Sequence, residues 1–172
     1  MRNVVYSAAM SLDGYIAGPK GESDWIMIDP ELDFGAMFAR FDTILLGRKT
    51  YETTRTGGGG GMPGVKSYLF SRTLQQSDVR GATVSDDPAQ IISVLKAQPG
   101  KDIWLFGGGV LFRSLLELGL VDVVGVAIIP VLLGGGVPLL PDTPERAGLR
   151  LIEHQAYDAT GTVTLEYAVK RS

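Results

Sequence analysis

The chain has 172 residues, a formal net charge of −3, 45% hydrophobic and 20% charged residues, no cysteine and a single histidine, His154. That composition fits one globular domain over residues 1–172 and excludes wholesale disorder. It also excludes disulfide frameworks, cysteine nucleophiles and two-histidine metal sites, so no metal is expected, and it argues against a nucleic-acid binder, which needs a basic face.

Residues 1–6 carry no secretory apolar region, so the protein is expected to be cytoplasmic and unprocessed. Residues 4–10 are β-branched and small apolar residues and predict a central strand. Asp13-Gly14, Gly18-Pro19 and Lys20-Gly21 crowd turn signals into the next stretch. The apolar Tyr15-Ile16-Ala17 inside it predicts a loop packed on other structure, with a plain hairpin turn at Asp13-Gly14 as the alternative. Asp29-Pro30-Glu31 predicts a helix start, with Asp29 as N-cap and Pro30 at the first helical position. Phe34, Met37, Phe38 and Phe41 supply its apolar stripe. Glu31 and Asp33 are acids at this helix start, where each contributes ~0.3–1 kcal/mol if it does nothing else.

Residues 43–46 predict a buried strand that ends at Gly47, and Arg48, Lys49 and Thr50 then open a helix. Glycine, two cations and a hydroxyl there form an anion-binding arrangement or an ordinary charged helix start. Residues 57–61 are consecutive glycines and predict a flexible loop. Residues 67–70 predict a strand ending in Ser71-Arg72-Thr73, a set able to hold a phosphate monoester such as the 2′-phosphate of NADP. Residues 82–84 predict a short strand. Asp87-Pro88 caps a further helix, with Ile91, Ile92 and Leu95 buried.

Residues 103–106, bounded by glycine, predict a strand buried on both faces. Gly107-Gly108-Gly109 turns it into a helix with Leu111, Leu115 and Leu118 at helical spacing. Such a turn leaves backbone N–H groups at a helix N-terminus for a phosphate. A tight turn needing positive φ explains the same glycines. The turn is neither a full G-x-G-x-x-G nor a Walker A loop. Residues 123–140 form an eighteen-residue run without charge. Its glycines and prolines predict a strand over residues 121–129 and a glycine-rich loop rather than a membrane span. Residues 149–156 and 162–170 predict an antiparallel hairpin whose Thr162, Thr164 and Glu166 lie on a wet face, with His154 structural or at the surface. Strand–helix alternation ending in a hairpin predicts an α/β domain with a mostly parallel, mixed sheet. Ligands of such sheets bind outside the carboxyl ends of strands, where these turns converge.

Taken in order, Ser11-Leu12-Asp13-Gly14-Tyr15-Ile16-Ala17, Asp42-Thr43-Ile44-Leu45-Leu46-Gly47-Arg48-Lys49-Thr50-Tyr51-Glu52, Ser71-Arg72-Thr73, Gly107-Gly108-Gly109 and Pro130-Val131-Leu132-Leu133-Gly134-Gly135-Gly136 resemble the dihydrofolate reductase superfamily. The closest resemblance is to the C-terminal reductase domain of the riboflavin-biosynthesis deaminase-reductase, without its zinc deaminase half. The resemblance implies a dihydrofolate reductase-like three-layer αβα fold with a mostly parallel mixed sheet and an antiparallel C-terminal hairpin. It implies an enzyme that uses NADPH to deliver hydride to a C=N or ribosylamine-type heterocycle, most closely 5-amino-6-(5-phosphoribosylamino)uracil. By the same resemblance Ala9, Ile16 and Ala17 border the nicotinamide, and Gly47, Arg48, Lys49 and Thr50 hold the pyrophosphate and adenosine side. Ser71 and Arg72 take the 2′-phosphate, and Gly107, Gly108, Gly109 and the Val110 amide take the pyrophosphate. The proton step falls to Glu31 or Asp33, whose partial burial would raise its pKa. No cluster of lysines and arginines is left over for a substrate phosphate. Dihydrofolate reductase activity, with Arg55 a poor candidate for the folate glutamate, and a non-catalytic nucleotide-binding module are the alternatives. Related reductase domains are commonly dimers, and the apolar strand over residues 121–129 together with the C-terminal hairpin is expected to form an exposed sheet edge that pairing into a homodimer, acting on a small molecule, would cover.

Overall fold

Apolar residues occupy both faces of the central strands, so both faces must be covered. The computed structural model describes residues 1–56, 64–143 and 146–171; the glycine run 57–61 and the side chain of Arg55 lie outside the described residues. Its strands are β1 (Val4–Ser11), β2 (Tyr15–Ala17), β3 (Phe41–Gly47), β4 (Lys66–Phe70), β5 (Thr83–Ser85), β6 (Asp102–Gly107), β7 (Val123–Ile129), β8 (Val137–Pro138), β9 (Leu149–Tyr157) and β10 (Thr162–Val169). Its helices are α1 (Phe34–Ala39), α2 (Arg48–Thr56), α3 (Pro88–Ala97) and α4 (Gly109–Glu117). Among the described residues no helix is long and apolar enough to cross a membrane.

The main sheet runs β5-β4-β3-β6-β1-β7-β10-β9. It is parallel from β5 to β7. The last two strands, β10 and β9, run antiparallel to their neighbours. Side chains alternate between faces with the two-residue period of a strand. Val4, Tyr6, Leu45, Ile103 and Leu105 pack with Ile92 and Leu95 of α3 and Phe112 and Leu115 of α4. Val5, Ile44, Leu46 and Trp104 pack on the other face with Tyr51 of α2 and Phe38 of α1. The result is the expected three-layer αβα arrangement. Each fully buried aliphatic or aromatic side chain contributes about 1.5–3 kcal/mol relative to exposure.

Two local expectations are corrected. The helix predicted from Asp29 starts instead at Phe34, and Asp33 caps it by accepting the Ala36 N–H at 2.9 Å. Asp29 is buried, and its carboxylate accepts the Glu31 N–H at 2.9 Å and the Thr160 hydroxyl at 2.8 Å. It caps a single turn and then ties that turn to the C-terminal hairpin, a tertiary demand that local cap preference cannot express. The stretch after β1 does not fold back on it as a hairpin. Tyr15 and Ala17 pair with Pro138 and Val137 of β8, as the packed-loop reading expects. The Asp13 carboxylate accepts the Ser11 hydroxyl at 2.7 Å, Leu133 N–H at 3.1 Å and Gly134 N–H at 2.8 Å. Those bonds, the serine's first, hold its pKa below the ordinary aspartate value. Gly136 (φ +145°) approaches this ribbon so closely that a Cβ would sit 2.1 Å from the Ala17 carbonyl oxygen.

A candidate active site where the sheet parts

β1 and β6 pair only from Val4↔Ile103 to Tyr6↔Leu105. Beyond that point β1 stays on β7 as far as Ser11↔Ile129, while β6 stays on β3 as far as Gly107↔Leu46. The two strands therefore part. Ser7, Ala8 and Ala9 form one lip, and Phe106, Gly107 and Gly108 the other, of a cleft of about 1750 Å³. That exceeds the roughly 300–1,000 Å³ of a pocket for one small ligand and leaves room for two molecules side by side.

Every residue expected to form the site lines this one cleft: Ala9, Ile16, Ala17, Gly47, Arg48, Lys49, Thr50, Ser71, Arg72, Gly107, Gly108, Gly109, Val110, Glu31 and Asp33. The three glycines of the turn differ in what they require. Gly107 has φ +148°, a conformation open to glycine, and the Gly107–Gly108 peptide is cis. Gly108 is the N-cap of α4 and offers no side chain to its first amides, which keep their capacity for an anion. A Cβ on Gly108 would lie 3.3 Å from Thr50 Oγ1. Gly109 serves packing, since a Cβ there would meet Pro141 Cδ at 3.1 Å and the Pro138 carbonyl oxygen at 3.2 Å. The end of β3 faces this turn: a Cβ on Gly47 would lie 3.5 Å from the Gly107 oxygen and 3.6 Å from the Gly108 nitrogen.

Beside these turns lie cations. Arg48 is engaged, donating to Glu52 at 2.7 Å and to the Thr73 hydroxyl at 2.8 Å. The Ser71 hydroxyl oxygen accepts the Thr73 and Leu74 N–H groups at 3.2 and 3.1 Å, which shapes the loop around Arg72. Lys49 and Arg72 are exposed, and neither side chain has an ion-pair partner among the described residues.

The opposite end has a different chemistry, and most of it escaped the sequence reading. The face of β10 expected to be wet forms a wall of the cleft: Thr162, Thr164 and Glu166 line it, beside Tyr157, Gln155 and Glu153 at the paired positions of β9. β10 is an interior strand, and the Asp29–Thr160 and Arg40–Glu166 contacts tie the segment around α1 to it. Arg40 donates to both Glu166 oxygens, at 2.7 and 3.2 Å, and these bonds raise its pKa above the ordinary arginine value. Trp104 gathers Phe38, Phe41 and Phe106 at ring-centroid distances of 5.4, 5.6 and 4.8 Å. Its indole Nε1 is buried and has no hydrogen-bond partner among the described residues. Glu31 and Asp33 both reach the cleft, but both are exposed, so the partial burial expected of a proton-step carboxyl is not found. Asp33 is occupied with its cap, whereas the Glu31 side chain has no hydrogen-bond or ion-pair partner among the described residues. His154 is exposed on β9, as expected, but Phe41 opens β3 instead of extending α1, Phe106 and Leu118 are exposed, and β7 lies inside the sheet between β1 and β10, so it is the hairpin and not the 121–129 strand that supplies an edge.

Taken together, the fold is dihydrofolate reductase-like. Dihydrofolate reductase from Enterococcus faecalis, complexed with NADP(H), superposes with a TM-score of 0.67 at 18% identity over 98% of this chain and 97% of that one. Within that architecture, this chain belongs to the RibD C-terminal domain family, whose model matches residues 2–163. It is 34% identical to the uncharacterized protein YyaP of Bacillus subtilis (strain 168), over 96% of this chain and 94% of YyaP. It is also similar to the crystal structure of a Shewanella sp. PV-4 protein named for riboflavin biosynthesis, with a TM-score of 0.83 at 27% identity over 99% of this chain and all (100%) of that one.

Proposed function

We propose that this chain is an NADPH-dependent reductase that adds hydride to a C=N or ribosylamine-type bond of a small heterocycle, the chemistry used in riboflavin biosynthesis. Family membership supports a reductase-like role of that pathway's type. The observation that carries the finer reading is the parting of β1 and β6, with the Gly47 and Gly107–Gly108 turns facing each other at its end. This backbone fits a dinucleotide. The open amides at the start of α4 suit a pyrophosphate, the lips Ala8–Ala9 and Phe106–Gly107 admit a flat ring, and Lys49 and Arg72, without ion-pair partners among the described residues, suit phosphate oxygens.

When bound, NADPH supplies the hydride. That hydride would go to the carbon of the substrate C=N bond and a proton to its nitrogen, and the α4 amides, Lys49 and Arg72 would hold the dinucleotide that supplies it. The protein's part would be to hold the substrate C=N bond against the hydride-bearing face of the cofactor in the parting, which converts a two-body encounter into an oriented one. Glu31 is favoured over Asp33 for the proton because Asp33 is bound to the Ala36 N–H. We further propose a cytoplasmic homodimer paired through β9, whose residues 149–156 are all exposed. A sedimentation mass of one chain at micromolar concentration would remove the dimer.

The deciding experiment is a fluorescence titration with NADPH and NADH, followed by NADPH oxidation with the riboflavin intermediate and with dihydrofolate. Tight NADPH binding with preference over NADH, and turnover of one substrate, is expected. Binding without turnover of either would favour a nucleotide-binding module; no binding would sink the cofactor reading.

A further inference from the structure

We infer that Gly125 is a specificity-determining residue of the cleft: its missing Cβ lets the flat ring of the substrate lie against the β7 backbone, between the Ser7 hydroxyl and the Arg40–Glu166 pair. Calling that ring the substrate's rests on the reductase reading above.

Alternate residues of a strand share a face, so the paired positions of β1 and β7 form rows across the sheet. On the face that carries α1, Val5 pairs with Val123, Ser7 with Gly125 and Ala9 with Ala127. Val5 and Val123 belong to the core that includes Trp104 and packs against Phe38. Beyond them the side chains shrink to a serine, a glycine and two alanines, all lining the cleft. The other face of the same strands keeps its bulk, with Tyr6 beside Val124, Ala8 beside Val126 and Met10 beside Ile128. The thinning is therefore a property of one face, and Gly125 is its lowest point.

Glycine weakens the interior of a strand, and one found there marks a bend or a place where a ligand or another backbone comes close. Gly125 has no positive φ. A Cβ on it would meet only ordinary contacts, Ser7 Oγ and the Tyr6 carbonyl oxygen at 3.6 Å and Ser7 Cβ at 3.8 Å. Gly109 and Gly136 differ, because protein atoms already occupy the space their Cβ would need. The fold does not ask for glycine at 125, and the space it leaves belongs to the cleft. The row continues into β10, where Glu166 pairs with Gly125 and both its oxygens accept from Arg40. Ser7 and Glu166 thus stand two strand spacings apart, about 9–10 Å. A planar heterocycle fits that width, with a hydroxyl at one edge and an ion pair at the other. β1 separates this row from β6, whose Gly107–Gly108 turn would carry the cofactor's phosphates, so the seat falls to the substrate.

The test is Gly125→Ala, which raises this floor by one methyl group. The probes are 5-amino-6-(5-phosphoribosylamino)uracil and dihydrofolate, which both contain a flat pyrimidine ring and differ in their tails. Each is titrated calorimetrically into the full-length protein, alone and saturated with NADP⁺, which has no hydride to give. NADPH affinity and the melting temperature are measured alongside. The wild type should bind at least one probe, and Gly125→Ala should weaken that probe about tenfold or more. The variant should keep its NADPH affinity and melt at the same or a higher temperature, since alanine costs a strand less entropy than glycine. The inference is overturned if Gly125→Ala binds the probe as well as the wild type does, if NADPH weakens in parallel, if the variant melts lower, or if the wild type binds neither probe. A protein that binds NADPH and turns over a substrate undisturbed by Gly125→Ala refutes this inference alone. One that takes a probe but no NADPH, and loses the probe on Gly125→Ala, refutes the reductase reading and keeps the seat.

Discussion

The two ends of the cleft are built on different principles. The end formed by β3, β4 and the start of α4 uses backbone, glycine turns and open helix amides, with Lys49 and Arg72 free of ion-pair partners among the described residues. The end formed by α1, β9 and β10 uses side chains: a Trp–Phe wall, hydroxyls, and carboxylates of which, among the described residues, Glu166 alone makes an ion pair. Backbone amides are the same whatever the sequence, so the first end suits an invariant ligand such as a cofactor. Side chains can be exchanged one at a time, so the second end is where a family would change its substrate without touching the first.

Mutations can break this division. The largest effect should come from Gly108→Val. Gly108 has φ −97°, which any residue adopts, so the protein should still fold, while the new side chain crowds Thr50 and the open amides. NADPH affinity should fall about a hundredfold or more; unchanged affinity with an unchanged melting curve would show that the turn is only a turn. Next, Glu31→Gln should lower kcat about a hundredfold, as expected for loss of a general acid. Asp33→Asn, which keeps a competent cap, should cost only a few-fold. Equal losses would mean that neither carboxyl is the proton donor. Third, Arg72→Ala should weaken NADPH about tenfold and leave NADH alone, since the guanidinium would face only the 2′-phosphate. Parallel losses for the two cofactors would place that phosphate elsewhere.

The smallest expected effect lies outside the cleft and sharpens the comparison by leaving both ends intact. Burial works against the charge on Asp42, but the Lys101 N–H, the Thr43 hydroxyl and Arg2 more than offset it and lower its pKa. A depressed folded-state pKa adds stability above the ordinary aspartate value, and that stability is lost as pH falls through the folded one. Asp42→Asn should therefore cost about 1–2 kcal/mol at neutral pH. Thermal melts of the two proteins should converge below about pH 4. A constant gap across that range would mean that the charge on Asp42 contributes nothing.

Much of the backbone-built end was legible because its signals are local. Gly107, Gly108 and the Asp87 cap of α3, which accepts the Gln90 N–H at 2.9 Å, act within a few residues of themselves. The side-chain end was not legible, because its parts meet only after folding. Arg40 and Glu166 lie 126 positions apart, and nothing near either one names the other. The polar alternation of β10 was plain in the sequence, yet a polar face reads the same whether it meets bulk water or a binding cleft. Asp29 shows the same limit at short range: its cap chemistry is real, and Thr160 decides what it caps.

The short pairing between β1 and β6 also has a mechanical meaning. The eight-stranded sheet is two four-stranded leaves bound along a spine of three rungs, Val4↔Ile103 to Tyr6↔Leu105. Beyond those rungs the two leaves share no strand pairing among the described residues. A ligand lying in the gap would touch both leaves and act as a clasp, coupling its affinity to the stiffness of the sheet.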